Sequence, residues 1–205
     1  MSFIPLRGHS DIPFIKMNFY IIIILISFVW ILSEVILARI THSKTKTSKD
    51  LDKSSLRFLW LTIIICVFIG VFLGIRGIGF ISKNALFISS LGLILIVLGL
   101  VVRWTAILTL KKYFTVNVSI LSDHRIVDKG IYKIIRHPAY AGSLLSFLGL
   151  GLSFSNWLST LIIFTPVLVV FIYRMRIEEK ALVGFFGEKY TIYCKTTKRL
   201  IPKIY

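Results

Sequence analysis

Residues 85–110, ALFISSLGLILIVLGLVVRWTAILTL, form an apolar run of 26 residues whose sole formal charge is Arg103. At 1.5 Å per residue a helix over this run spans about 39 Å, more than the hydrocarbon core of a bilayer requires. Runs of the same character precede it at Phe19–Leu37 and Leu56–Ile75. Two more follow at Pro138–Ser153 and Asn156–Tyr173, parted by so few polar residues that they must form a tight helical hairpin. The pattern predicts an all-α integral membrane protein with five transmembrane helices, the last two a C-terminal hairpin followed by an amphipathic cytoplasmic tail. Arg7 and Lys16 stand in the leader, and no small-residue cleavage site follows the first run, so a retained span is expected rather than a removed signal peptide.

Composition agrees. Of 205 residues 56% are hydrophobic and only 17% charged, with a mean hydropathy of +0.84, too apolar for a soluble domain of this size. The net charge of +16 would point to nucleic acid in a soluble chain. Here the charges lie between apolar runs, so anionic lipid headgroups are the expected partner and nucleic acid is not. Basic residues alternate by segment. The leader and the loop holding Arg76 and Lys83 are poor, and the loop between the hairpin helices has none. The loop from Arg39 to Arg57, the loop from Lys111 to Arg136 and the tail from Arg174 are rich. With five helices, the positive-inside bias places the amino terminus outside and brings the third loop and the tail together on the cytoplasmic face. Cys66 and Cys194 have no partner spacing for a disulfide framework or a zinc site and read as free thiols. Gly70 and Gly74 suit close helix packing. Trp30, Trp60 and Trp157 read as interfacial anchors.

Two polar windows carry the candidate chemistry. Residues 117–142, NVSILSDHRIVDKGIYKIIRHPAYAG, gather His124, Arg125, Asp128, Tyr132, Arg136, His137 and Tyr140 just where Pro138 can open the fourth helix. The N-H groups and positive dipole end of that helix suit an anion. Residues 174–202, RMRIEEKALVGFFGEKYTIYCKTTKRLIP, place Arg174 and Glu178 one turn apart on one helical face. Beyond the loosening Gly184 and Gly187, Phe185, Phe186, Tyr190 and Tyr193 supply an aromatic face able to lie on the bilayer or over a pocket.

Three blocks in these windows, GIYKIIRHPAYAG at 130–142, RIEEKAL at 176–182 and FFGEKYTIY with RLIP between 185 and 202, resemble the isoprenylcysteine carboxyl methyltransferase family of membrane methyltransferases, with a prokaryotic relative the expected affinity. The resemblance covers about the last ninety residues. It divides the chain into an N-terminal membrane region, 1–110, of three helices and a catalytic region, 111–205, and it implies S-adenosylmethionine as cofactor. No glycine-rich dinucleotide fingerprint or P-loop occurs in the chain. By the same resemblance Asn117, His124, Arg125, Ile126, Val127, Tyr132, His137, Pro138, Ala139, Tyr140 and Glu178 bind the cofactor, and Arg174 orients the acceptor's carboxylate. The implied reaction is methyl transfer to a lipophilic or prenylated acceptor, most concretely the carboxyl of a prenylcysteine. Phospholipid methyltransferases and some sterol reductases share versions of the arginine-histidine-proline block. They leave open a phospholipid or other lipid methyltransferase and an NADPH-dependent membrane reductase, beside a non-catalytic protein that binds anionic lipid through its basic faces.

Overall fold

The computed structural model describes residues 12–40, 53–115, 125–202 and 204–205; Asn117 and His124 fall outside them. Among the described residues six helices follow in order: α1 (Ile12–Ile40), α2 (Lys53–Arg76), α3 (Ala85–Leu110), α4 (Pro138–Ser153), α5 (Trp157–Phe186) and α6 (Glu188–Thr196), with short 3-10 turns at Lys111–Tyr113 and Gly130–Lys133. Pro138 opens α4 at its first helical position, where its missing N-H forfeits nothing. Asn156 starts α5 by accepting the Ser159 N-H at 2.9 Å. Gly187, at φ 58° and ψ −127°, a backbone conformation that favours glycine, ends it and releases the chain into α6.

Of the five expected spans, three are long and apolar enough on their own: Ser55–Arg76, Ala85–Tyr113 and Trp157–Phe186. The apolar stretch described in α1 is shorter, Ile21–Leu37. Helix α4 has 16 residues, eleven of them buried, so it is sheathed by protein more than by lipid. The hairpin α4–α5 forms as expected, but α5 runs without interruption past Tyr173 to Phe186. The block carrying Arg174 and Glu178 is therefore a continuation of the fifth helix, not a separate tail.

Helices α3 and α4 meet backbone to backbone. A Cβ built on Gly142 would come within 2.6 Å of the Gly99 carbonyl and of the Arg103 amide; one on Gly149 would meet the Gly92 carbonyl at 2.5 Å. Small residues at near-heptad spacing, Gly92 and Gly99 facing Gly142, Ser146, Gly149 and Ser153, let the two axes approach more closely than larger side chains allow. Ser146 adds a hydrogen bond to the Ile96 carbonyl at 3.2 Å. Against α2, the Ile163 side chain of α5 fills the place of a Gly70 side chain and Ser159 Oγ donates to the Gly70 carbonyl at 2.7 Å, while the Phe154 ring, from the turn between α4 and α5, fills that of Gly74. Trp30 departs from its expected interfacial role. It is 8% exposed, with its ring 4.8 Å from Phe147.

The loops pair at opposite ends. At one end Ile81 N donates to Ser155 O at 2.8 Å and Trp157 N to Gly79 O at 3.2 Å, joining two loops poor in basic residues. At the other, Arg136 N reaches Lys198 O at 2.7 Å, His137 N reaches Arg199 O at 3.0 Å and Lys198 N reaches Ile134 O at 3.2 Å. The third loop and the tail thus share one end of the bundle. Glu179 fastens them: its carboxylate receives Arg136 Nε at 2.9 Å, His137 Nε2 at 3.2 Å and Arg199 Nη2 at 2.6 Å. Arg136 donates further to the carbonyls of Cys194 and Thr197. The hydrogen bond that Arg199 donates to Glu179 raises the guanidinium above its ordinary pKa.

Gly142→Leu is expected to lower stability by about 3 kcal/mol or to prevent folding, because rigid backbone leaves its side chain no room; Gly184→Leu, with nothing near its Cβ, should leave thermal unfolding in detergent unchanged. Glu179→Gln removes the charge that Arg136 and Arg199 share, at a cost of roughly 3 kcal/mol. It should speed tryptic cleavage after Lys195 and Lys198 several-fold, and a cleavage rate equal to wild type would show that the clasp does not hold the tail.

Candidate active site

Between α1, α2, α4 and α5, roofed by residues 125–127 and α6, lies a cavity of about 430 Å³. Along α4 its lining extends from Ala139 to Leu150, about 16 Å at the helical rise. The deep part is apolar, walled by Trp30, Leu59, Ile63, Phe147, Leu150 and Phe171. The shallow part, at the end where loop and tail meet, is polar.

At the junction of the two parts sits a bridged centre. Tyr140 Oη donates to Glu178 Oε2 at 2.8 Å and accepts from Arg174 Nε at 3.2 Å. Arg174 also donates from Nη1 to Ser55 Oγ at 3.1 Å. Its side chain is 2% exposed, so the guanidinium is held in one orientation by partners on α2 and α4. Helical spacing explains the arrangement: Arg174, Glu178, Ala181 and Leu182 share a face of α5 and all reach the cavity. The Tyr140 ring stacks on His137 with centroids 5.6 Å apart. Above, Tyr132 is buried and hydrogen-bonded through its carbonyl to Tyr193 Oη at 2.6 Å. Burial, and after it the nearby Glu178 charge, push the Tyr132 hydroxyl up, so it stays protonated.

Of the residues expected at the site, Arg125, Ile126, Val127, Tyr132, His137, Ala139, Tyr140, Arg174 and Glu178 line this one cavity. Pro138 does not; it is fully buried and serves the helix start. His137 is 4% exposed beneath the tail and turns Nε2 to Glu179. Phe186, Tyr190 and Tyr193 of the aromatic face also line the cavity, while Phe185 points outward at 51% exposure.

The expected set lacks two polar groups of the wall. Arg103 of α3 forks onto Glu34 of α1, Nε to Oε1 at 2.5 Å and Nη2 to Oε2 at 2.6 Å, and its Nη1 donates to Ser143 Oγ at 2.8 Å. Glu34 and Arg103 are charges inside apolar runs, and that cost alone marks them in the sequence. Glu179, Arg136 and Arg199 stand in the three quoted blocks, but nothing local to any of them announces their pairing.

A model of the isoprenylcysteine carboxyl methyltransferase (ICMT) family matches residues 92–184, a segment that holds α4, the bridged centre and most of α3. Over 173 residues the chain is 32% identical to protein-S-isoprenylcysteine O-methyltransferase B of Arabidopsis thaliana, covering 83% of this chain and 86% of the plant protein. It is 36% identical over 107 residues to the Saccharomyces cerevisiae protein-S-isoprenylcysteine O-methyltransferase, covering 51% of this chain and 45% of that one. The solved structure of a eukaryotic intramembrane Ras methyltransferase, isoprenylcysteine carboxyl methyltransferase, superposes with a TM-score of 0.53 at 28% identity, over 75% of this chain and 54% of the other. The chain thus spans most of the plant relative and about half of the yeast relative and of the solved structure. These relatives are eukaryotic, and the expectation of a prokaryotic affinity is not upheld by them. Because the plant relative is matched over most of its length and the family segment contains the bridged centre, this chain is an integral membrane member of the isoprenylcysteine carboxyl methyltransferase family.

Proposed function

We propose that the chain transfers a methyl group from S-adenosylmethionine to the carboxylate of a prenylcysteine-like acceptor, at the cytoplasmic boundary of a membrane. The observation that carries this reading is the Arg174–Tyr140–Glu178 bridge, set where a polar chamber opens into an apolar one. A methyl donor with an ammonium and an adenosine suits the polar chamber: Glu178 supplies the anion, and Ile126, Val127 and Tyr132 supply apolar walls. The names of the relatives, protein-S-isoprenylcysteine O-methyltransferase, favour a carboxyl acceptor over a phospholipid amine or a reductase chemistry.

When bound, the donor supplies an electrophilic methyl group on a sulfonium sulfur. A carboxylate acceptor is already ionised at neutral pH, so the protein needs no general base and contributes by placement and exclusion of water. Arg174 holds the accepting carboxylate. Its planar donor set fixes a carboxylate's direction in a way lysine could not, and Tyr140 and Ser55 already fix the guanidinium. Tyr140 sets the distance from that guanidinium to Glu178, hence from acceptor to donor. The roof of α6, Tyr190 and Tyr193 closes the chamber. The lipid chain occupies the apolar arm, which α1 and α2 wall on the membrane side. Asn117 and His124 complete the donor site in this reading, and residues 111–205 form its catalytic region. The richness of the third loop and tail in Lys and Arg supports a cytoplasmic site, with the carboxyl terminus inside and the amino terminus outside.

Glu178→Ala is expected to weaken S-adenosylhomocysteine binding at least about tenfold by calorimetry in nanodiscs, since it removes the charge facing the ammonium. Arg174→Ala should abolish turnover of a farnesylated cysteine analogue while sparing that affinity; unchanged turnover would remove Arg174 from the mechanism. Tyr140→Phe should lower kcat/KM about tenfold with the fold intact, the loss of one shared hydroxyl bridge.

A further inference from the structure

Helix α1 lies outside the matched family segment, which begins at residue 92, yet Trp30, Ile31 and Glu34 line the cavity. Its outer face is broad: Ile24 is 65% exposed and Phe28 63%, whereas Ile23, Trp30 and Leu37, seven residues apart, are buried. The inner face makes an apolar contact through the Trp30 ring on Phe147, 4.8 Å between centroids. One turn further on, it makes the fork of Arg103 onto Glu34 at 2.5 and 2.6 Å.

That fork is rigidly based. The Arg103 amide lies 2.6 Å from the place of a Gly142 Cβ, so the close α3–α4 contact fixes its backbone. Its remaining arm bonds Ser143 Oγ at 2.8 Å and Ala139 O at 3.3 Å. Ala139 and Ser143 flank Tyr140 of the bridged centre on α4. An ion pair within an apolar run is tolerated only when closely matched, and a bidentate pair adds direction to attraction.

We propose that Glu34 is a positioning residue for the acceptor, fixing α1 through Arg103 as the wall of the apolar arm, at a set distance from the Arg174–Tyr140 centre. The identity of the acceptor rests on the methyl-transfer reading; the tie of α1 to α3 does not. Glu34 acts on the lipid chain and not on the donor, so its loss raises the acceptor's KM and leaves donor binding alone.

The test uses the full chain in nanodiscs, with Trp60, Trp104 and Trp157 replaced by phenylalanine so that Trp30 alone reports. Glu34→Gln should raise quenching of Trp30 by brominated lipid about twofold and the KM for a farnesylated cysteine analogue about tenfold, leaving S-adenosylhomocysteine affinity within about twofold; Glu34→Asp should recover part of the KM. Unchanged quenching overturns the tie. Raised quenching with an unchanged KM overturns the role of α1 in acceptor binding, and a parallel loss of S-adenosylhomocysteine affinity overturns the positioning role. If the parent protein binds S-adenosylhomocysteine but methylates no analogue, the proposed function fails, and quenching still decides the tie.

Discussion

The backbone contact of α3 with α4 is the constraint on which the site depends. Helix α4 is too short and too enclosed to take its place from lipid alone, and the place it takes against Gly92 and Gly99 decides where its polar start lies. With α4 set, Tyr140 points at Arg174 and Glu178, and Arg103 reaches past Ser143 to α1. In hydrocarbon there is little hydrophobic drive between helices, so close packing of small residues and interhelical hydrogen bonds supply the association. The same seam therefore fixes both the scaffold and the geometry of the centre.

Inside the fold two carboxylates, Glu179 and Glu34, answer buried or half-buried charge. Glu179 answers two guanidiniums and hydrogen-bonds His137 at the loop–tail junction, and Glu34 meets Arg103 with two matched hydrogen bonds. A buried ion pair adds little net stability over an apolar pair, but the loss of one partner is costly. Such pairs specify arrangement more than they stabilise it. Here they select one docking of the tail over the loop and one docking of α1 beside the cavity, leaving Glu178 and Arg174 to face the chamber.

Much of the fold was legible because the bilayer leaves few choices. Residues 85–110 were expected as a helix and form α3 with those ends; the hairpin followed from the short break between Ser153 and Asn156. The meeting of third loop and tail followed from the alternation of Lys and Arg. Less was legible about α4, whose apolar run looks like a span although most of it is buried in protein. Periodicity records apolarity and does not distinguish lipid from a neighbouring helix. Trp30 misled for the same reason. At the site, Arg174, Glu178 and Tyr140 were readable from helical spacing and from the resemblance. The Arg136–Glu179–Arg199 clasp was not, because ion pairs over long separations leave no local pattern. Glu34 and Arg103 were visible as charges in apolar runs, but their pairing needed the packing of α1 on α3.

The proposed function requires one cavity to set a sulfonium donor beside a lipid carboxylate. It is tested most directly by incubating the chain in nanodiscs with methyl-labelled S-adenosylmethionine and farnesylated cysteine analogues, one with a free carboxylate and one already esterified. Label is expected on the free acid alone, released as methanol by alkali; label that resists alkali, or equal labelling of the ester, would overturn carboxyl methylation.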